Sequence, residues 1–119
     1  MEIVSRVLYG LPMLVFGVFH FLGAADMAGM VPAYMPGGAM LWVYLTGVAL
    51  IAASISIMVG IPRYLSRIAC ILLAVMLLGF AFMIHLPGVM AGDNPMAMPS
   101  LLKDLGLAGG AIALAVIFD

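Results

Sequence analysis

The sequence has few charged side chains and a single cysteine. Four basic and five acidic residues make up 8% of its 119 residues, whereas soluble domains are about a quarter charged. So few charges cannot cover a water-facing surface, and a net charge of −1 gives no electrostatic basis for a nucleic-acid partner. With Cys70 as the only thiol, an internal disulfide, a CxxC redox pair and a multi-cysteine metal cage are excluded.

Apolar residues make up 67% of the chain. A membrane-spanning helix needs about 20 mostly apolar residues, and glycines and prolines separate four segments that qualify: 4–25, 39–60, 64–86 and 100–118. The runs lack the period-two alternation of membrane strands. The sequence therefore predicts one all-α domain, an integral membrane four-helix bundle in contact with lipid. The first segment is long for a signal peptide, so we expect it to be retained.

The basic residues predict an orientation. Arg6, Arg63 and Arg67 fall on one side of a four-span chain, and only Lys103 falls on the other. Positive-inside bias then places both termini in the cytoplasm, with the longer loops 26–38 and 87–99 outside. The three arginines are interpreted as interfacial anchors that snorkel to lipid headgroups.

Small and ionisable residues recur on one face of the first segment. Arg6, Gly10, Met13, Gly17 and His20 follow one another at steps of four and three, so they share a helix face that we expect to lie against the bundle. Close helix packing is predicted at five glycines: Gly10, Gly17, Gly47, Gly106 and Gly110. The last two form a GxxxG motif, which is interpreted as packing within the bundle rather than as a dimer face.

Titratable groups at membrane depth are costly and tend to mark function. His20 and His85 both fall in the outward halves of their helices. Together with nearby polar residues they define a candidate ligand-binding pocket: His20, His85, Asp26, Lys103, Asp104 and Tyr44. Such a pocket suits a quinone headgroup, a lipid or a metal. Each histidine taken singly is equally well explained as a structural hydrogen-bond donor to a neighbouring helix.

Methionine is abundant, and seven of the twelve methionines lie in or beside the outward loops. Thioethers suit Cu(I), and the Met96-Ala97-Met98 segment resembles a copper-binding element. Methionine is also an adaptable apolar filler, and no dense Met/His motif occurs along the sequence, so copper is the less favoured interpretation. No nucleophile–base pair, phosphate loop or carboxylate pair is recognisable, and we expect no catalytic residues.

Several loose motifs resemble those of the DoxX family of small four-helix membrane proteins, in its DoxX-like branch. They include the arginine-led first helix with Gly17, Thr46-Gly47 after a proline-bearing loop, and His85 at the end of the third helix. The most specific is residues 103–110, Lys-Asp-Leu-Gly-Leu-Ala-Gly-Gly, which is similar to the family's Lys-Asp/Asn-Leu-x-Leu-x-Gly-Gly segment. His20 departs from the family pattern, since many members carry lysine near that position.

The resemblance implies a bacterial or archaeal cytoplasmic (inner) membrane protein. Some family members are subunits of thiosulfate:quinone oxidoreductase, and others are linked to membrane redox assemblies or oxidative stress. The favoured interpretation is a non-catalytic accessory subunit of a larger redox or energy-transducing complex, with other membrane subunits or a second copy as partners. The alternatives are a quinone-interacting oxidoreductase component and a small transporter or copper-handling protein.

Overall fold

A computed structural model describes residues 1–119 and contains helices but no strand. The helices are α1 (Glu2–Leu22), α2 (Ala24–Ala28), α3 (Ala39–Val59), α4 (Arg63–Phe80), α5 (Leu86–Ala91) and α6 (Ala97–Ile117). A π-helical turn, Ala81–His85, joins α4 to α5, so that Arg63–Ala91 forms one helical stretch of 29 residues. This stretch and α1, α3 and α6 are long and apolar enough to cross a membrane, which confirms the predicted all-α membrane bundle.

Three helix ends differ from the prediction by three residues or more, and the first is the end of α1, which lies at Leu22 instead of residue 25. The third spanning stretch continues past Pro87 to Ala91, and Pro87 directly follows the π-helical turn, in the first turn of α5. The fourth span begins at Ala97, with Met96 as its N-cap residue. Ser100 lies within the first turn of α6.

The bundle consists of two closely packed antiparallel pairs, α1 with α3 and α4 with α6. In the first pair the buried residues of α1 are Gly10, Met13 and Gly17, the centre of the predicted stripe. A Cβ atom on Gly17 would lie 3.0 Å from the Gly47 carbonyl oxygen, and one on Gly47 would lie 2.7 Å from Cβ of His20. The two backbones therefore approach closely because both positions lack a side chain.

The two glycines of the GxxxG motif in α6, Gly106 and Gly110, have different surroundings. A Cβ atom on Gly110 would lie 2.9 Å from Cε2 of Tyr9 on α1, and the Tyr9 hydroxyl donates to the Leu107 carbonyl. Gly106 is exposed and has open space where a side chain would stand. The prediction of close packing within the bundle is therefore wrong at Gly106, which lies on the outer face of α6.

The core between the pairs is apolar and includes Cys70, whose exposure is 0%. The hydroxyls of two buried serines donate hydrogen bonds to backbone carbonyls. Ser54 Oγ donates to the Leu50 carbonyl at 2.5 Å, and Ser66 Oγ donates to the Ser56 carbonyl at 2.7 Å. Satisfied hydroxyls of this kind are what an environment without water requires, so neither serine is left free for chemistry.

The side chain of Arg6, a residue of α1, packs against the C-terminal end of α3. Its guanidinium donates to the carbonyls of Ile57 at 3.1 Å, Met58 at 2.8 Å and Val59 at 3.0 Å. These are carbonyls of the last helical turn, which have no N–H partner within the helix and carry the negative end of its dipole. The Arg6 side chain is only 13% exposed, so the prediction that it snorkels to lipid is wrong.

The other two arginines join the chain ends to the same region, which we call the arginine end: Glu2, Arg6, Arg63, Arg67 and Asp119. Arg63 contacts both Glu2 carboxylate oxygens at 3.2 Å and donates to the Ile117 carbonyl at 2.5 Å. Arg67 lies 3.1 Å from the Asp119 carboxylate. Both arginine side chains are about half exposed, at 47% and 49%, so an interfacial anchoring role stays a prediction for these two.

Candidate functional site

A cavity of about 420 Å³ lies at the opposite end of the bundle, which we call the histidine end. Its walls come from α1, the segment 27–35, α3, the Arg63–Ala91 stretch and the start of α6. Aromatic and aliphatic side chains form most of the lining, and the polar lining residues are His20, Thr46, His85, Ser100, Lys103 and Asp104. The volume falls within the range of about 300–1,000 Å³ that is typical of small-molecule sites.

His85 and Asp104 face each other in this cavity. His85 ends the π-helical turn, and its Nε2 lies 3.0 Å from Oδ2 of Asp104 on α6. The Asp104 side chain is 3% exposed, and its other oxygen lies 3.6 Å from Nζ of Lys103. A buried carboxylate is tolerated at membrane depth only with such partners, so the three residues act as one charged group.

Lys103 connects this group to the other helix pair. Its ammonium lies 5.1 Å from the centroid of the Phe16 ring on α1, within the range of a cation–π contact. The side chain is about half exposed. One cation on α6 thus faces both an aromatic ring of α1 and the Asp104 carboxylate, and it retains N–H donors for a third partner.

His20 has one ring nitrogen engaged and one free of protein partners. Its Nδ1 lies 2.6 Å from the Phe16 carbonyl oxygen, which can only accept a hydrogen bond, so Nδ1 carries the hydrogen. In the neutral ring Nε2 then carries a lone pair. Because His20 lines the cavity, it offers an acceptor or a metal ligand there.

Two of the six predicted pocket residues lie elsewhere. Asp26 is exposed on the short helix α2 and does not line the cavity. Tyr44 is exposed and stacks on Phe21, with 5.5 Å between the ring centroids. It follows Val43, whose side chain is buried, and one residue along a helix turns the side chain about 100° away. The predicted pocket is therefore wrong at Asp26 and Tyr44, and the structure brings together His20, His85, Lys103 and Asp104.

The methionines that line the cavity were not among the predicted site residues. Five do so: Met27, Met30, Met35, Met76 and Met83. Met96 and Met98, the predicted metal candidates, are 63% and 47% exposed and lie outside the cavity. Folding gathers the five from separate segments, so sequence spacing could have indicated only the group Met27, Met30 and Met35.

Trp42 holds the methionine-bearing segment in place. Its indole N–H donates to the Pro36 carbonyl at 2.6 Å, which links α3 to the connection between α2 and α3. Trp42 lines the cavity as well. The sequence did not indicate this contact, because a bond to the backbone six residues earlier has no signature in the side-chain pattern.

A family model described as a domain of unknown function, DUF8561, matches residues 10–101. The chain belongs to this family. The match includes His20, the segment 27–35 and His85, and it ends just before Lys103 and Asp104. No curated protein and no solved structure matches the chain. The similarity to the DoxX family stays a prediction.

Proposed function

We propose that the chain binds a quinone-class molecule in the cavity at the histidine end, as a component of a membrane redox assembly. The observation that carries this proposal is the combination of a largely apolar cavity with polar groups converging on it, His20, His85, Lys103 and Asp104. A quinone ring needs apolar walls, and its two oxygens need polar partners. Apolar walls combined with a few precisely placed polar groups are typical of cofactor sites.

The polar groups supply complementary chemistry to the two redox forms. The Lys103 ammonium can donate to a quinone carbonyl, and neutral His20 can accept from a quinol hydroxyl through Nε2. The His85–Asp104 pair, at 3.0 Å, gives a place where a proton can be held next to the ligand. Polar groups at membrane depth that share one cavity favour such a role over purely structural ones.

The proposal includes a location. Arg6, Arg63 and Arg67 lie at the end of the bundle opposite the cavity, together with both chain termini. Positive-inside bias supports a cytoplasmic arginine end, which would put the cavity in the outer half of a bacterial or archaeal cytoplasmic membrane. A ligand dissolved in the bilayer would reach it without crossing the membrane.

Trp42 makes the test direct, because it is the only tryptophan in the chain and lines the cavity. Protein in lipid nanodiscs would be titrated with short-chain ubiquinone and menaquinone analogues while Trp42 fluorescence is recorded. We expect saturable quenching. A hydrogen bond to a charged group contributes about 1.5–3 kcal/mol, so Lys103→Met should raise Kd about tenfold or more.

Asp26→Asn is the matched control, since Asp26 lies close in sequence to the cavity segment but is exposed outside it. Its Kd should equal that of the wild type. Quenching that never saturates, or an equal change in both variants, would overturn the proposal.

An accessory-subunit role is the second candidate. The DoxX resemblance supports it, and so does the outer face of α6, where Gly106 and Gly109 have open space in place of side chains. Small residues on a lipid-facing helix permit close approach of another helix. Affinity purification in mild detergent should recover larger subunits with the wild type and lose them with Gly106→Leu. A wild-type chain that purifies alone and monodisperse would reject this candidate.

A further inference from the structure

Seven potential soft-metal ligands line the cavity at the histidine end. Two are imidazoles and five are thioethers: His20, His85, Met27, Met30, Met35, Met76 and Met83. The quinone proposal gives the thioethers no role beyond apolar packing. Their accumulation in one cavity therefore needs its own explanation.

His20 is held as metal-binding histidines usually are. A histidine that ligates a metal almost always donates its other ring N–H to a carbonyl or carboxylate, which fixes the tautomer and the ring orientation. His20 does so through Nδ1 to the Phe16 carbonyl at 2.6 Å. His85 instead has its Nε2 3.0 Å from Oδ2 of Asp104, in a contact that is not aligned as a hydrogen bond. Each ring is left with one nitrogen that has no protein partner.

Three of the thioethers belong to one ordered segment beside His20. The Met30 amide donates to the Met27 carbonyl at 3.0 Å, and the Met35 amide donates to the Pro32 carbonyl at 3.1 Å. The Trp42 indole fixes the end of this segment through Pro36. Two turns and one side-chain bond thus hold Met27, Met30 and Met35 against the cavity.

The ligand chemistry selects the metal. Thioethers are soft and uncharged and suit Cu(I), whereas Mg²⁺ and Ca²⁺ need oxygen ligands and structural Zn²⁺ needs thiolates or several imidazoles. No three His, Cys, Asp or Glu side chains lie close enough together to hold a metal ion. A hard or borderline divalent ion therefore finds too few ligands.

We propose that the cavity binds Cu(I) through three thioethers and one imidazole: Met27, Met30, Met35 and His20. Two further thioethers and the second imidazole also line the cavity: Met76, Met83 and His85. This site goes beyond the proposed function and does not depend on it, because its three thioethers have no part in quinone recognition and the two sites share only His20.

The test is an anaerobic titration of purified protein against Cu(I) held by the chromophoric chelator bicinchoninate. We expect the wild type to withdraw one equivalent of Cu(I). A Met27→Leu, Met30→Leu, Met35→Leu triple variant keeps apolar volume and should weaken binding by at least about 100-fold, since loss of even a second-shell partner costs roughly 10- to 100-fold. X-ray absorption at the copper edge should show sulfur ligands in the wild type and not in this triple variant.

The control is a second triple variant, Met90→Leu, Met96→Leu, Met98→Leu, which changes the same number of methionines at exposed positions outside the cavity. It should bind like the wild type. No Cu(I) uptake by the wild type, or equal loss in both triple variants, would overturn the proposal. The three single variants keep the test valid if the first triple variant misfolds. Trp42 quenching by quinone, measured on the same variants, separates failure of this site from failure of the quinone proposal.

Discussion

Nε2 of His85 lies 3.0 Å from Oδ2 of Asp104, and this contact joins the π-helical turn to α6. π-helical turns inside α-helices are rare and frequently lie at functional sites. Here the turn ends at the histidine that faces the only carboxylate lining the cavity. The pair therefore connects the packing of α4 on α6 to the chemistry of the cavity.

Removal of one partner of this pair should cost more stability than removal of both. His85→Phe leaves the buried Asp104 carboxylate with Lys103 alone, and an uncompensated buried charge costs on the order of 3 kcal/mol. His85→Phe combined with Asp104→Asn removes the charge as well, so its melting temperature should lie above that of His85→Phe. Thermal unfolding of His85→Phe, Asp104→Asn and the double variant in one detergent completes the double-mutant cycle, and strictly additive effects would contradict a coupling between the two side chains.

Arg6 should stabilise the fold far more than Arg67 does. Arg6→Met removes donors to three carbonyls at the C-terminus of α3, and hydrogen bonds to charged groups contribute about 1.5–3 kcal/mol each. Arg67→Met removes one ion pair with Asp119 that is half exposed, which contributes about 0–1 kcal/mol. Arg6→Lys should recover only part of the loss, because an ammonium lacks the planar fork of a guanidinium.

The free energy of unfolding in a mixed-micelle denaturant titration would measure these three variants. Equal destabilisation by Arg6→Met and Arg67→Met would show that Arg6 is an anchor of the kind expected from the sequence. Near-complete recovery by Arg6→Lys would show that its charge alone matters.

The glycines of the bundle should differ sharply in their tolerance of a side chain. Gly47→Ala brings a methyl group to 2.7 Å from Cβ of His20, and overpacking of this kind costs about 1–3 kcal/mol. Gly106→Ala meets open space and should leave stability unchanged or raise it, since alanine is the better helix former. Thermal unfolding of the two variants compares them, and an equal loss would contradict the tight α1–α3 contact.

The fold was predictable because membrane helices have a simple sequence signature. Long apolar runs and the glycine and proline residues between them gave four spans, and a period of 3.6 gave the inner face of α1. The site was predictable only in part. His20, His85, Lys103 and Asp104 share a depth, and depth can be counted along a helix. Side-chain direction at Tyr44 and Asp26, the partners of Arg6 and the gathering of five methionines depend on tertiary contacts, which sequence spacing does not specify.

Cysteine labelling would test the orientation in which the arginine end is cytoplasmic. Cys70 is buried, so Cys70→Ala gives a cysteine-free background into which Met96→Cys or Ile61→Cys is added, both at exposed positions. Positive-inside bias puts residue 96 outside and residue 61 in the cytoplasm. A membrane-impermeant maleimide should therefore label Met96→Cys in intact cells and Ile61→Cys only after permeabilisation. The reverse pattern would place the cavity in the cytoplasmic half of the membrane, where its ligand would have to come from the inner leaflet.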